Sequence, residues 1–214
     1  MTLYVSILSV AAVVAAAAAC VDAWRFLETW TGRIRIGRWR DRRAWQDALA
    51  RRASAWIKRM PPVPKKDQGR LVLWDMMRGA YADAAIQGWQ LAGLSLGLNA
   101  YAGDRNDGDL REKLRDTLGR HELVVNYLER ENPGTWEVDR MLLDYAVLEA
   151  GCGVEERLVE KSLAFLESLK TEAGTLAYRR GQPAVRYVDT IGLACPLAAA
   201  CAARTGREED WNLA

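Results

Sequence analysis

The chain has 214 residues, half of them apolar and 27% charged, enough to bury one ordinary hydrophobic core and too apolar for a disordered polymer. Thirty Lys/Arg against 28 Asp/Glu leave a net charge of +2, which excludes the strongly basic surface of a dedicated nucleic-acid binder, so no nucleic acid is expected as a partner. The charge is uneven: residues 22–66 carry 13 Lys/Arg and 4 Asp/Glu, net +9, while residues 67–214 carry 17 and 24, net −7.

Leu3 to Val21 is interrupted only by Tyr4, Ser6 and Ser9, and as a helix rising ~1.5 Å per residue it approaches a ~30 Å hydrocarbon layer. This predicts an N-terminal transmembrane anchor over 1–22, followed by a basic juxtamembrane neck over 23–40 and one domain over 41–214. Arg25, Arg33, Arg35, Arg38, Arg40, Arg42 and Arg43 all follow the apolar run, which by the positive-inside bias gives a membrane-anchored, single-pass protein with a cytoplasmic body. Trp24 and Trp30 fall at the inner interface, where the arginines can hold anionic headgroups. The rival reading is export after signal cleavage, or lipidation at Cys20. Only Met1 and Thr2 precede the run, whereas a signal peptide wants positive charge there.

Beyond the neck the apolar period is helical. Trp45, Leu49, Ala53, Trp56 and Met60 form one stripe on a helix over about 41–59, ended by Pro61, Pro62 and Pro64. A short helix is expected over 69–78, then one capped by Asp83 and running to about Leu98. Gly93 and Gly97 in that helix, together with Gly88, predict close approach of a neighbour. The stripe Leu110, Leu114, Leu118, His121, Val125, Leu128 predicts one long helix, stopped by Asn132, Pro133 and Gly134. Further helices follow around Val138–Leu148 and Leu158–Leu169. Leu176, Tyr178, Val185 and Tyr187 alternate about a turn and suggest two short extended pieces. The last helix starts near Asp189 or Thr190, contains Pro196 and ends near Arg204. The fold class is all-α: six or seven helices, mostly 14–22 residues long, in successive hairpins. No GxGxxG or phosphate-loop motif occurs. Without a fixed-period repeat, a ring of hairpins is preferred to a superhelical scaffold.

The four cysteines lack CxxC spacing and companion histidines, so neither a metal nor a disulfide framework is indicated, and reduced, mostly buried thiols are expected. His121 is the single histidine; inside an apolar stripe it reads as a helix residue rather than a catalyst. Trp74, Trp89 and Trp136 lie in the body, where an aromatic face can serve as a sugar platform or as core. Asp139 and Asp189 each stand at a helix start. Either can be an ordinary N-cap, or the two can line a cleft shared by hairpin ends.

Three strings bear on that choice: Gly174-Thr-Leu-Ala-Tyr-Arg-Arg180, Val185-Arg-Tyr-Val-Asp-Thr-Ile-Gly-Leu-Ala-Cys-Pro-Leu197, and Val138-Asp139 with Leu143-Asp-Tyr-Ala-Val-Leu148. With Ile86-Gln-Gly-Trp-Gln90, they make the chain from about residue 40 onward resemble glycoside hydrolase families 88 and 105, the unsaturated uronyl and rhamnogalacturonyl hydrolases. The resemblance implies part of an (α/α)6 toroid and a substrate that is an oligosaccharide with an unsaturated uronate end. It implies a reaction in which one carboxyl protonates C4 of an enol ether while water adds at C5, with no cofactor. By that resemblance Asp189 is the general acid/base and Asp139 the second pocket aspartate. Arg179, Tyr178, Arg186 and Trp89 are then candidates for substrate contacts. A full ring of twelve helices needs far more than 214 residues, so the chain reads as truncated to the N-terminal half. A poor enzyme or none is expected of it alone, with self-association through the incomplete barrel edge. The alternative is a membrane-tethered, non-catalytic helical scaffold, so the residues leave open whether the chain is an enzyme.

Overall fold

In the computed structural model the described residues are 2–35, 41–60, 63–64, 81–82, 85–129, 138–185 and 187–213. The chain divides into two compact units, Met1–Ala85 and Ile86–Ala214. Among the described residues the architecture is all-α, apart from one ladder of two residues per strand.

The first unit holds α1 (Thr2–Arg35), α2 (Arg42–Lys58), and strands β1 (Val63–Pro64) and β2 (Tyr81–Ala82), which pair antiparallel. The helix expected over the apolar run continues through the basic neck to Arg35, there being no proline to stop it. Along it Tyr4, Val5, Ile7, Leu8, Val10, Val13 and Val14 are all exposed. Among the described residues no helix is long and apolar enough to cross a membrane, and by that measure the transmembrane anchor expected over 1–22 is not supported. Helix α2 matches its expected span. Its N-cap is Asp41, whose carboxylate accepts from the Arg43 amide at 2.8 Å. The expected helix over 69–78 and the Asp83 cap lie outside the described residues.

The second unit contains α3 (Gly88–Arg105), α4 (Gly108–Gly119), α5 (Glu122–Glu129), α6 (Arg140–Ala150), α7 (Glu155–Glu167), α8 (Asp189–Thr205) and α9 (Glu208–Trp211). Helix α6 is central and packs against both α3 and α8, while α4, α7 and α9 lie against this row. The row is parallel. At its N-terminal end Leu143 of α6 lies beside Gly88 of α3, 3.8 Å from where a Cβ would be. At the other end the last carbonyls of α6, which have no partner within their own helix, accept from three neighbours. Arg204 of α8 bonds to Leu148 O (3.2 Å), Asn99 of α3 to Glu149 O (3.1 Å) and Arg115 of α4 to Ala150 O (3.3 Å). Two of these donors are cations at a helix C-terminus, where the dipole favours them. Gly151, at φ 67°, then turns the chain toward α7.

The core follows the apolar stripes. Leu91, Leu118, Val124, Met141, Leu143, Leu158, Leu166 and Leu197 are fully or nearly fully buried, each contributing roughly 1.5–3 kcal/mol by transfer from water.

Several expectations are corrected. The helix after Asp83 starts later and ends later. Its cap is Gln87, in a reciprocal box with Gln90. Among the described residues Gly93 and Gly97 meet nothing within 4 Å, so there they mark an open face rather than a close approach, unlike Gly88; a glycine pair fixes only what is absent from a helix face, not what covers it. The expected helix through Leu110–Leu128 is two helices broken at Arg120. His121 caps α5, its Nδ1 accepting from the Leu123 amide at 3.2 Å, and the buried face shifts to Val124, Tyr127 and Leu128. Apolar spacing alone does not distinguish one helix from two in line. Most helices here are accordingly shorter than the expected 14–22 residues. The two extended pieces form no named strand: Leu176 makes an isolated antiparallel bridge to Lys170, and Tyr178 N donates to Val185 O across the turn between them. The last helix falls as expected, with Pro196 inside it.

Candidate functional site

The N-terminal ends of α3, α6 and α8 gather at one end of the parallel row, and the connection from Ser168 to Val188 crosses it. That connection is held by its backbone. Ala177 N donates to Leu169 O (2.8 Å), Val138 N to Tyr178 O (3.1 Å) and Tyr178 N to Val185 O (2.9 Å). The end of α7 is thereby brought beside the start of α6, and the chain is delivered to the start of α8, where Thr190 N donates to Tyr187 O at 3.1 Å.

Asp139 is half-buried immediately before α6. Its backbone is helical, and its side chain makes no cap bond to the helix. Its Oδ1 instead accepts from the Tyr178 hydroxyl at 2.7 Å. The Tyr178 ring meets Tyr187 edge-on, with centroids 4.8 Å apart and planes at 88°. Asp189 opens α8 and is exposed. The α8 cap position is Val188, again without a side-chain cap bond. N-capping therefore accounts for neither carboxylate, although Asp189, in the first turn, still favours the helix dipole. Behind Asp189 the Thr190 hydroxyl is buried with no hydrogen-bond partner among the described residues.

The remaining expected site residues fall as follows. Arg179 is exposed, its guanidinium 5.7 Å from the Tyr178 ring centroid. Trp89, 48% exposed, stands in the first turn of α3 with its Nε1 donating to Gln87 at 2.6 Å. Arg186 and Trp136 lie outside the described residues.

One polar cluster was given no role in the motif reading, although Asp144 lies in one of its strings. Asp144, on α6, is fully buried. It accepts from Arg140 Nε at 2.7 Å and from the Ser162 hydroxyl of α7 at 3.0 Å. Arg140 also donates to Leu123 O and stacks 4.1 Å over the Tyr127 ring, whose other cation neighbour is Lys161 at 5.2 Å. Burial pushes the Asp144 carboxyl up, opposed chiefly by Arg140. Burial also raises the Tyr127 phenol, with Asp144 adding to it. The sequence signal was partial: Arg140 and Asp144 stand at i, i+4, and Asp144 directly follows the core position Leu143. Among the described residues no group of His, Cys, Asp and Glu is arranged to hold a metal ion.

No family model, curated protein or solved structure matches this chain. The likeness to glycoside hydrolase families 88 and 105 rests on the quoted strings alone.

The four cysteines are free. Cys201 is buried, Cys152 and Cys195 are partly covered and Cys20 is exposed on α1, so the expectation of mostly buried thiols holds fully only for Cys201. Burial pushes the Cys201 thiol up to about 12 and the Cys152 thiol up to about 11.

Proposed function

We propose that the chain is a glycoside hydrolase-like protein that removes an unsaturated uronic acid from an oligosaccharide end by hydrating its enol-ether bond. One observation carries this reading. The two carboxylates that match the family's pocket aspartates stand at the starts of adjacent parallel helices, neither of them used as a cap, and are linked through Tyr178 and Tyr187.

In this reading the helix row is part of an (α/α)6 toroid. Asp189, exposed at the helix start, gives its proton to C4. Positive charge develops at C5 and the ring oxygen, and water adds at C5 as the Asp189 carboxylate takes up one of its protons. The resulting hemiketal opens and releases the sugar. A single carboxyl serves as acid and then as base, so no cofactor is required. Asp139 supplies negative charge facing the developing cation. Arg179 and Arg186 suit the uronate, because a guanidinium grips a carboxylate with two parallel bonds. The half-exposed indole of Trp89 offers a face for a sugar ring. The test is turnover of a lyase-made oligosaccharide, read as loss of the ultraviolet absorbance of its conjugated unsaturated acid when water adds across the double bond. This reading departs from the expectation of a poor enzyme or none: turnover by the chain should be measurable, and it should vanish on Asp189→Asn.

We further propose that α1 attaches the protein to a membrane through residues 3–21, with the body cytoplasmic. The support is the exposure of the large apolar side chains Tyr4, Val5, Ile7, Leu8, Val10, Val13 and Val14 along one helix, which water does not favour. The described stretch Tyr4–Cys20, at ~1.5 Å per residue, spans about 26 Å, slightly under the hydrocarbon thickness. Exchanging Leu3–Val21 for a soluble leader should move the body out of the membrane fraction.

A scaffold reading is favoured by one feature, the exposed apolar run of Tyr187, Val188 and Ile191, with Val188 87% exposed. It requires stable self-association in which Asp189→Asn has no functional effect.

A further inference from the structure

Tyr178 was grouped with the residues that touch substrate. Its geometry assigns it another task. A phenol has one proton to donate, and that proton is directed to Asp139 Oδ1 at 2.7 Å. The same residue is tied by its backbone to both helix starts: its carbonyl accepts from Val138 N, one residue before Asp139, and its amide donates to Val185 O, four residues before Asp189. Its ring meets Tyr187 edge-on, and the Tyr187 carbonyl accepts the Thr190 amide in the first turn of α8. Every link from Asp139 to the segment carrying Asp189 in this chain of contacts passes through Tyr178.

We infer that Tyr178 is a positioning residue: it holds the Asp139 carboxylate in one orientation and keeps the start of α8 in register with the start of α6, without itself binding the sugar. The inference rests on the hydrolase reading of the same site, and it narrows that reading. Arg179, adjacent in sequence and exposed, remains a substrate contact, whereas Tyr178 acts through Asp139. Reaction rates are sensitive to displacements of about 1 Å in a reacting group. Freeing Asp139 to rotate therefore lowers the rate without weakening uronate binding.

The test uses the full chain with Tyr178→Phe, Asp139→Asn and the double replacement, each measured two ways. In urea unfolding the two single losses should overlap. The double variant should be about tenfold more stable in its folding equilibrium than additivity predicts, the effect of one hydrogen bond to a charged group. With a lyase-made oligosaccharide, Tyr178→Phe should lower kcat by about tenfold or more and leave KM within about twofold, the pattern of an interaction that matters in the transition state. Tyr178→Phe with KM raised and kcat unchanged overturns the inference and restores the phenol as a substrate contact. Additive unfolding losses overturn it as well, because the bond then holds nothing. A wild-type chain that shows the coupling but releases no uronate upholds the pairing and sinks the hydrolase reading alone.

Discussion

Arg140 and Asp144 stand one turn apart on α6 and form an ion pair of 2.7 Å in which the carboxylate is wholly removed from water. The pair joins three helices. Asp144 accepts from Ser162 of α7, and Arg140 reaches Leu123 O and the Tyr127 ring of α5. Removing one member of such a pair leaves the other charge buried and uncompensated. Asp144→Asn is expected to destabilise the second unit by about 3 kcal/mol, read as a lower urea midpoint at neutral pH. Replacing both members by apolar residues of similar volume is expected to cost clearly less. Equal losses in the single and double variants would contradict this account of the pair.

His121 gives the stability a pH dependence. Its Nδ1 must be unprotonated to accept from the Leu123 amide. Burial, helped by Arg140 and opposed by Glu122, lowers its pKa. A base whose pKa falls on folding stabilises the folded state fully above its unfolded value, about 6.5, and that contribution is lost as pH drops from there through the lower folded value. Unfolding midpoints should decline below about pH 6.5. His121→Asn, which keeps a short acceptor at the cap, should flatten that part of the profile, whereas His121→Ala should cost about 1 kcal/mol at pH 8. A profile unchanged by His121→Asn speaks against the cap.

The glycines of α3 allow a test of opposite sign. Gly93 and Gly97 lie inside a helix where a Cβ meets nothing within 4 Å among the described residues. Each is therefore expected to stabilise the protein on replacement by alanine, by about 0.5–1 kcal/mol, seen as a raised melting temperature. A drop in melting temperature on either replacement would mean that a neighbouring surface does approach this face.

The thiols should separate by reactivity. Cys201 is sealed in the core and Cys152 is held far from its thiolate by burial, then by Glu155. Because the thiolate is the reacting form, a disulfide reagent at pH 8 should reach the partly covered Cys195 before Cys201, which stays untouched until the chain unfolds. Rapid native modification of Cys201, located by peptide mapping, would refute its placement.

What the sequence discloses depends on the kind of signal. Apolar period placed α6, α7 and α8 within a few residues, because their buried faces are mostly Leu, Val, Ala and Met at helical spacing; it placed the span of α2 as well, although the residues buried there are Ala50 and Ile57 rather than the expected stripe. It failed between Gly119 and Glu122, where the break comes from a side-chain cap that no period records. It failed again at Gly93 and Gly97, where an absent side chain does not say what lies opposite. At the candidate site, the helix starts carrying Asp139 and Asp189 were legible from the motif strings and flanking turns. The Tyr178–Asp139 bond was not legible, since it spans 39 residues and depends on how the connection after α7 folds back. Asp144 was hidden for a similar reason. A carboxylate amid leucines is recognisable only as a conflict, and its partners Ser162 and Tyr127 come from other helices.

The most direct measurement is the rate at which the purified chain consumes a lyase-made oligosaccharide bearing an unsaturated uronate, compared with Asp189→Asn and with the saturated oligosaccharide as control. The account predicts uronate release that requires the double bond and is abolished, at least about a hundredfold, by losing the Asp189 proton donor. Release that is identical in the Asp189→Asn protein, or no release from the wild-type chain at any concentration, contradicts it.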